Sequence, residues 1–108
     1  MTSTITVNRT VLDVAARPRV LITRGSGAPL ALQWRQAESA RVVVTIERLD
    51  GSRVRTVTER RAAPGLATVT WNGLNARGRA VRPGSYVVRI AATNRLGTQT
   101  VLRSLRVR

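Results

Sequence analysis

Residues 68–86 read TVTWNGLNARGRAVRPGSY and hold two of the three aromatic residues in the 108-residue chain, one near each end of a loop. Polar and apolar residues alternate into Trp71, as they do in a half-buried strand. ATVTW (67–71) is therefore predicted to be a strand with Ala67, Val69 and Trp71 on one side. Alternation resumes in SYVVRIAA (85–92), where Tyr86, Val88, Ile90 and Ala92 share a face. Between them, Asn72-Gly73 supplies a turn, Gly78 permits a left-handed backbone, and Pro83-Gly84 ends the loop before the next strand. Trp71 would be the last inward residue of one strand and Tyr86 an early inward residue of the next, so the loop begins and ends in the core. Isolated aromatics on an alternating apolar face are usually core rather than ligand platforms. Each needs one partner for its N–H or O–H, which a backbone carbonyl beside the loop can provide.

The same period extends outward along the chain. In RVVVTIERL (41–49), Val42, Val44 and Ile46 fall on one face and Val43, Thr45 and Glu47 on the other. Asp50-Gly51 reads as a tight two-residue hairpin turn, with SRVRTV (52–57) as the return strand. Upstream, RVLIT (19–23) and LALQW (30–34) are shorter strands separated by the loop RGSGAP, with Leu30, Leu32 and Trp34 inward. In QTVLRSLRV (99–107) the apolar residues at 101, 102, 105 and 107 break strict alternation, which predicts a bulge or bend. VLDVAAR (11–17) is the only helix candidate, and Pro18 ends it at once. Seven or eight short strands with regular turn signals predict one all-β domain over residues 1–108, an antiparallel β-sandwich of immunoglobulin-like or fibronectin type III-like kind.

Hydrophobic residues make up 43% of the sequence, enough for a folded core despite a net charge of +14. All nineteen basic residues are Arg, a bias that a GC-rich genome would also produce. His and Cys are absent, so there is no disulfide and no thiolate ligand, and the compartment is left undecided. No signal peptide is recognisable in MTSTITVNRT and no apolar run is long enough to span a membrane. The alternatives are a cytoplasmic protein and a module of a longer exported one.

The spacing Trp71-Asn72-Gly73, Gly78, Val81, Gly84, Tyr86 resembles the signature of a family. It is similar to the immunoglobulin-like domain of the bacterial flagellar hook-capping protein, also found in C-terminal modules of secreted bacterial proteases and surface proteins. That family's valine-rich strand, Asp-Gly hairpin and return strand are matched here by VVVTIERLDGSRVRTV, and the resemblance covers about residues 40–107. It implies a non-enzymatic spacer, stabiliser or docking module of an exported or cell-surface protein, whose partners are neighbouring domains or other surface proteins. Asn72 stands where the family usually carries Asp, which argues against a cation held by the loop. The export segment and inserted second β-domain of hook-capping members have no counterpart here, so a complete hook cap is not expected.

Chemistry by side chains alone finds little support. General acid–base and nucleophilic catalysis need a group titrating near neutrality or a nucleophile beside a base. The five acids, Asp13, Glu38, Glu47, Asp50 and Glu59, are scattered, and hard cations want several oxygen ligands together. No enzyme activity, metal or cofactor is expected. Gly25-Ser26-Gly27 lacks the following helix that an anion cradle uses, and Asn8-Arg9-Thr10 matches a glycosylation acceptor that is too short to be specific. The arginines carry the alternative reading, a basic domain that binds nucleic acid or another polyanion. Arg53, Arg55, Arg77, Arg79 and Arg82 are the candidate contacts. With Arg41, Arg48, Arg60, Arg61 and Arg89 they fall mostly at turns or outward positions, as on a solvated face, and no recognition motif or stacking platform accompanies them. Any such binding is expected to be weak and non-specific.

Overall fold

Alternating strands bury one face each only if two layers meet, and the valine-rich run of the chain lies inside one layer, with a strand on each side. The computed structural model describes residues 10–17, 20–21 and 30–107. They form the strands β1 (Val11–Arg17), β2 (Val20–Leu21), β3 (Leu30–Gln36), β4 (Ala40–Arg48), β5 (Arg53–Ala62), β6 (Gly65–Trp71), β7 (Gly84–Asn94) and β8 (Gly97–Val107). One sheet has the order β1-β3-β6 and the other β2-β8-β7-β4-β5. Only the short β2–β8 contact is parallel. The all-β, antiparallel sandwich expected from the sequence is the fold of the protein.

The centre of the core is made of residues that alternation placed inward, although Thr45, read on the outer face, is also buried and Val69, read inward, is only half-buried. Leu30, Leu32 and Trp34 from β3 meet Val42, Val44 and Ile46 from β4 and Val88 and Ile90 from β7, and none is more than 2% exposed. Trp34 brings a polar atom into this apolar layer, where an unpaired N–H would be costly. Its indole N–H donates to Oε1 of the buried Gln36 at 2.8 Å, and Gln36 Nε2 donates to the Glu38 carbonyl at 2.8 Å. Gln99 of β8 joins the two sheets. Its side-chain amide accepts from the Val11 N–H at 2.8 Å and donates to the Val11 carbonyl at 3.0 Å, as a neighbouring strand would.

Several details differ from the sequence reading. VLDVAAR is strand β1, because burial beside β3 outweighs its weak helical spacing. No bulge interrupts β8: it pairs with β7 in unbroken register from Gly97 to Val107. Leu102 instead sits on the outer face, 55% exposed, and Arg103 takes an inward-parity position. The irregularities lie elsewhere, in β1 opposite β3 and twice in β5 opposite β4. Asp50-Gly51 is a turn but not a two-residue one. The Gly51 N–H donates to the Arg48 carbonyl and the Arg48 N–H to the Ser52 carbonyl, both at 2.9 Å, so Leu49, Asp50 and Gly51 form a three-residue loop. Gly51, at φ 88°, takes the left-handed place that such loops reserve for glycine. Of RVLIT only Val20–Leu21 is described, and RGSGAP, Gly25-Ser26-Gly27, Asn8 and Arg9 lie outside the described residues.

Candidate functional site

The loop from Asn72 to Pro83 crosses from one sheet to the other, since β6 belongs to the three-stranded sheet and β7 to the five-stranded one. Its two aromatic ends meet. Trp71 and Tyr86 are 3% and 6% exposed, and their rings pack edge to face with centroids 6.5 Å apart and planes at 61°. Both polar tips bind the loop's own backbone. Trp71 Nε1 donates to the Leu74 carbonyl at 2.9 Å and the Tyr86 hydroxyl to the Arg82 carbonyl at 2.5 Å. The second bond, from a tyrosine near the start of a strand to a carbonyl four residues upstream, is the tyrosine-corner arrangement of β-sandwiches.

Between these posts the loop folds back on itself. Leu74 and Ala80 form an isolated antiparallel bridge, and the Val81 N–H donates to the Gly73 carbonyl at 3.0 Å. Asn72 Oδ1 accepts from the Leu74 N–H at 3.2 Å, an Asx turn. Asn75 organises the tip. Its Oδ1 accepts from the N–H groups of Arg77 and Arg79 at 2.9 and 3.0 Å, while its carbonyl accepts from Gly78 at 3.0 Å. Gly78, at φ 77°, is in the left-handed region that its position in the turn requires. The tip is tied to β5 by the Ala76 N–H on the Val54 carbonyl at 3.3 Å and by Arg55 Nη1 on the Asn75 carbonyl at 3.1 Å. Val81 is buried beneath.

The predicted structural motif, Trp71, Asn72, Gly73, Gly78, Val81, Gly84 and Tyr86, thus occupies one loop and its two flanking strands. Residues 20–95 match the family model for the FlgD Ig-like domain. The chain belongs to the FlgD Ig-like domain family. The FlgD Ig-like match begins at Val20, earlier than the resemblance read at about residue 40, so it takes in β3, whose residues carry strand pattern but no distinctive motif. The crystal structure of FlgD from P. aeruginosa has the same fold, with a TM-score of 0.63 at 18% identity over 81% of this chain. This chain covers 66% of the chain in that structure. Comparison with curated proteins gives no match.

The FlgD Ig-like frame also gathers the candidate arginines. Arg53 and Arg55 on β5 lie beside the loop that carries Arg77, Arg79 and Arg82, because Ala76 and Asn75 bond to Val54 and Arg55. All but the half-buried Arg55 are exposed. Among the described residues none of the five pairs with a carboxylate, whereas Arg41, Arg89 and Arg95 pair with Glu59, Glu47 and Glu38. Asp50, at the hairpin on the same end, is occupied locally: the Ser52 hydroxyl and backbone N–H hold its carboxyl below the ordinary carboxylate value, with Arg48 adding a smaller contribution. Among the described residues no three acidic side chains come together as a metal site.

Asn75, Gln36 and Gln99 are polar residues that sequence reasoning did not single out. Asn75 had a signal, since Asn at the first position of a turn with Gly three residues on is a favoured pattern. Gln36 had one as well, since it continues the inward parity of Leu30, Leu32 and Trp34 and stands two residues beyond the indole it accepts from. Two substitutions test this account of the loop. Trp71→Ala is expected to destabilise the protein by about 3–5 kcal/mol in a denaturant titration, through lost burial and the cavity left behind. Asn75→Ala, which orphans two N–H groups at an exposed tip, should cost about 1 kcal/mol, and Asn75→Asp, which keeps an acceptor, should cost less. Loss of under 1 kcal/mol for Trp71→Ala would contradict its role as a post.

Proposed function

We propose that the chain is a non-enzymatic structural and docking module of an exported or cell-surface bacterial protein, joined to neighbouring domains or to other surface proteins and working without a cofactor. The observation that carries this reading is where the loop's polar groups go. Trp71, Asn72, Asn75 and Tyr86, which a binding site would turn outward, instead bond to the loop's own backbone. The described carboxylates are likewise engaged, three with arginines and Asp50 with Ser52. Such a loop holds two sheets together and offers no acid–base pair. Membership of the FlgD Ig-like family supports a role in contact with other proteins or domains. No helix among the described residues is long and apolar enough to cross a membrane.

Protease shaving tests the location. Intact cells of the organism that encodes the chain, treated briefly with trypsin, should release peptides of this domain. Release only after lysis, with a surface protein cleaved normally in the same sample, would overturn the exported reading.

A second reading has its own observation: five arginines that have no carboxylate partner among the described residues converge on one end of the sandwich. Guanidinium groups on an end without an exposed aromatic ring would give a polyanion affinity but no base readout. Duplex DNA or RNA should then bind at roughly 10⁻⁴ to 10⁻⁶ M, without sequence preference and less tightly as salt rises. Because both sets lie on one end, Arg53→Glu with Arg55→Glu should weaken binding as Arg77→Glu with Arg79→Glu does. A nanomolar complex at physiological salt would make polyanion binding the main function.

A further inference from the structure

β6 is a less protected edge than β5 beside it. Among the described residues it pairs with β3 alone, which leaves one side of its backbone ladder without a strand. Proteins commonly blunt such edges with charge, proline or bulges. β5, the edge beside it in the other sheet, has two register breaks, four arginines, and the Ala76 N–H seated on Val54. β6 has none of these. It reads GLATVTW, bears no charge, and pairs with β3 through seven consecutive residues. Leu66 is 69% exposed, and Thr68 and Thr70 are exposed beside it.

The seam between β6 and β5 indicates what this edge would receive. Val69 of β6 and Val57 of β5 pack against the core but stay only half-buried, and with Leu32 and Val44 they line a narrow apolar gap. Along β5, Arg60 and Arg55 stand on either side of Val57, and Nη1 of Arg55 donates to the Asn75 carbonyl at 3.1 Å. In the ladder they pair with Val42 and Ile46, whose side chains point inward, so they leave β5 on the seam side rather than on its outer face. Counting from the Ala63-Pro64 turn, Arg60 comes level with Ala67. Allowing for the extra residue at Val57, Arg55 comes level with Trp71.

We propose that β6 accepts an added strand from a partner protein, an extended segment in which one apolar side chain lies between two acidic ones at alternate positions. The backbone of the segment continues the β1-β3-β6 sheet, as in other strand-addition complexes. Its apolar residue closes the seam over Val57 and Val69, and its carboxylates meet Arg60 and Arg55. The pattern reads the same in either strand direction. Charge complementarity selects this occupant over a second copy of the chain, which would bring GLATVTW, without a carboxylate, and a further +14 of charge. The proposal rests on the reading of the chain as a docking module and names the surface it uses.

The probe is a blocked, dye-labelled heptapeptide, Thr-Glu-Thr-Val-Thr-Glu-Thr, followed by fluorescence anisotropy with the whole chain. It should bind, the Lys-for-Glu version should not, and Arg60→Glu, checked for folding by circular dichroism, should weaken binding by about tenfold. Two peptides N-methylated at alternate positions separate a ladder from simple charge attraction. Methylation of the N–H groups facing β6 should abolish binding, while the other set leaves it within about twofold. No binding at millimolar peptide, equal binding of both methylated peptides, or indifference to Arg60→Glu would each overturn the proposal. Any of these would remove β6 as the docking surface and leave the location read by protease shaving unaffected.

Discussion

The edge-to-face contact of Trp71 with Tyr86 is the point at which the two sheets of this protein are fastened to each other by adjacent segments of chain. Trp71 ends a strand of one sheet and Tyr86 lies near the start of a strand of the other. A loop this long would add conformational freedom at the place where the chain must change layers. Here its backbone is bonded to both rings' polar atoms, so burying the rings also fixes the loop. The Leu74–Ala80 bridge, the Asn75 tip and the contact with β5 all build on that fixed frame. Gln99 makes a second tie between the sheets at the opposite end, through the Val11 backbone.

Most of the fold was legible because alternation is a local signal and the core obeys it. Every inward position read in LALQW, in the valine-rich strand and in SYVVRIAA is buried. Two kinds of feature were less legible. The first is where apolar content misleads: Leu102 suggested a bulge in β8, yet it is simply an apolar side chain on the outer face, and exposed leucines are ordinary on protein surfaces. The second is polar partnership across the chain. Gln99 against Val11, 88 residues away, satisfies backbone groups that no sequence period marks, whereas Gln36 sits two residues beyond Trp34 on the same inward face and was hidden only by being polar. The spacing from Trp71 to Tyr86 was legible as a family resemblance because its glycines take the positive φ angles of the loop path and its rings bond the loop's own backbone.

Among the described residues three arginines pair with carboxylates, Arg41 with Glu59, Arg89 with Glu47 and Arg95 with Glu38. Exposed pairs of this kind contribute little to stability. The arginines at the loop end have no such partner among the described residues, and neither do Arg60 and Arg61 of β5 or Arg103 and Arg106 of β8, so unpaired charge gathers at the loop end and also lines two strands. Charge so placed steers association and discourages self-association more than it strengthens the fold. The uncharged β6 edge is the exception to this coating.

The central claim is that the Trp71–Tyr86 contact couples the two sheets and makes the loop a structural element. A double-mutant cycle of Trp71→Leu and Tyr86→Leu, read by urea unfolding, measures that coupling directly. The account predicts an interaction energy of about 0.5–1.5 kcal/mol between the two positions, as for other buried aromatic pairs. Additive losses, agreeing within about 0.3 kcal/mol, would mean that the rings are independent core residues and that the loop is held by something else.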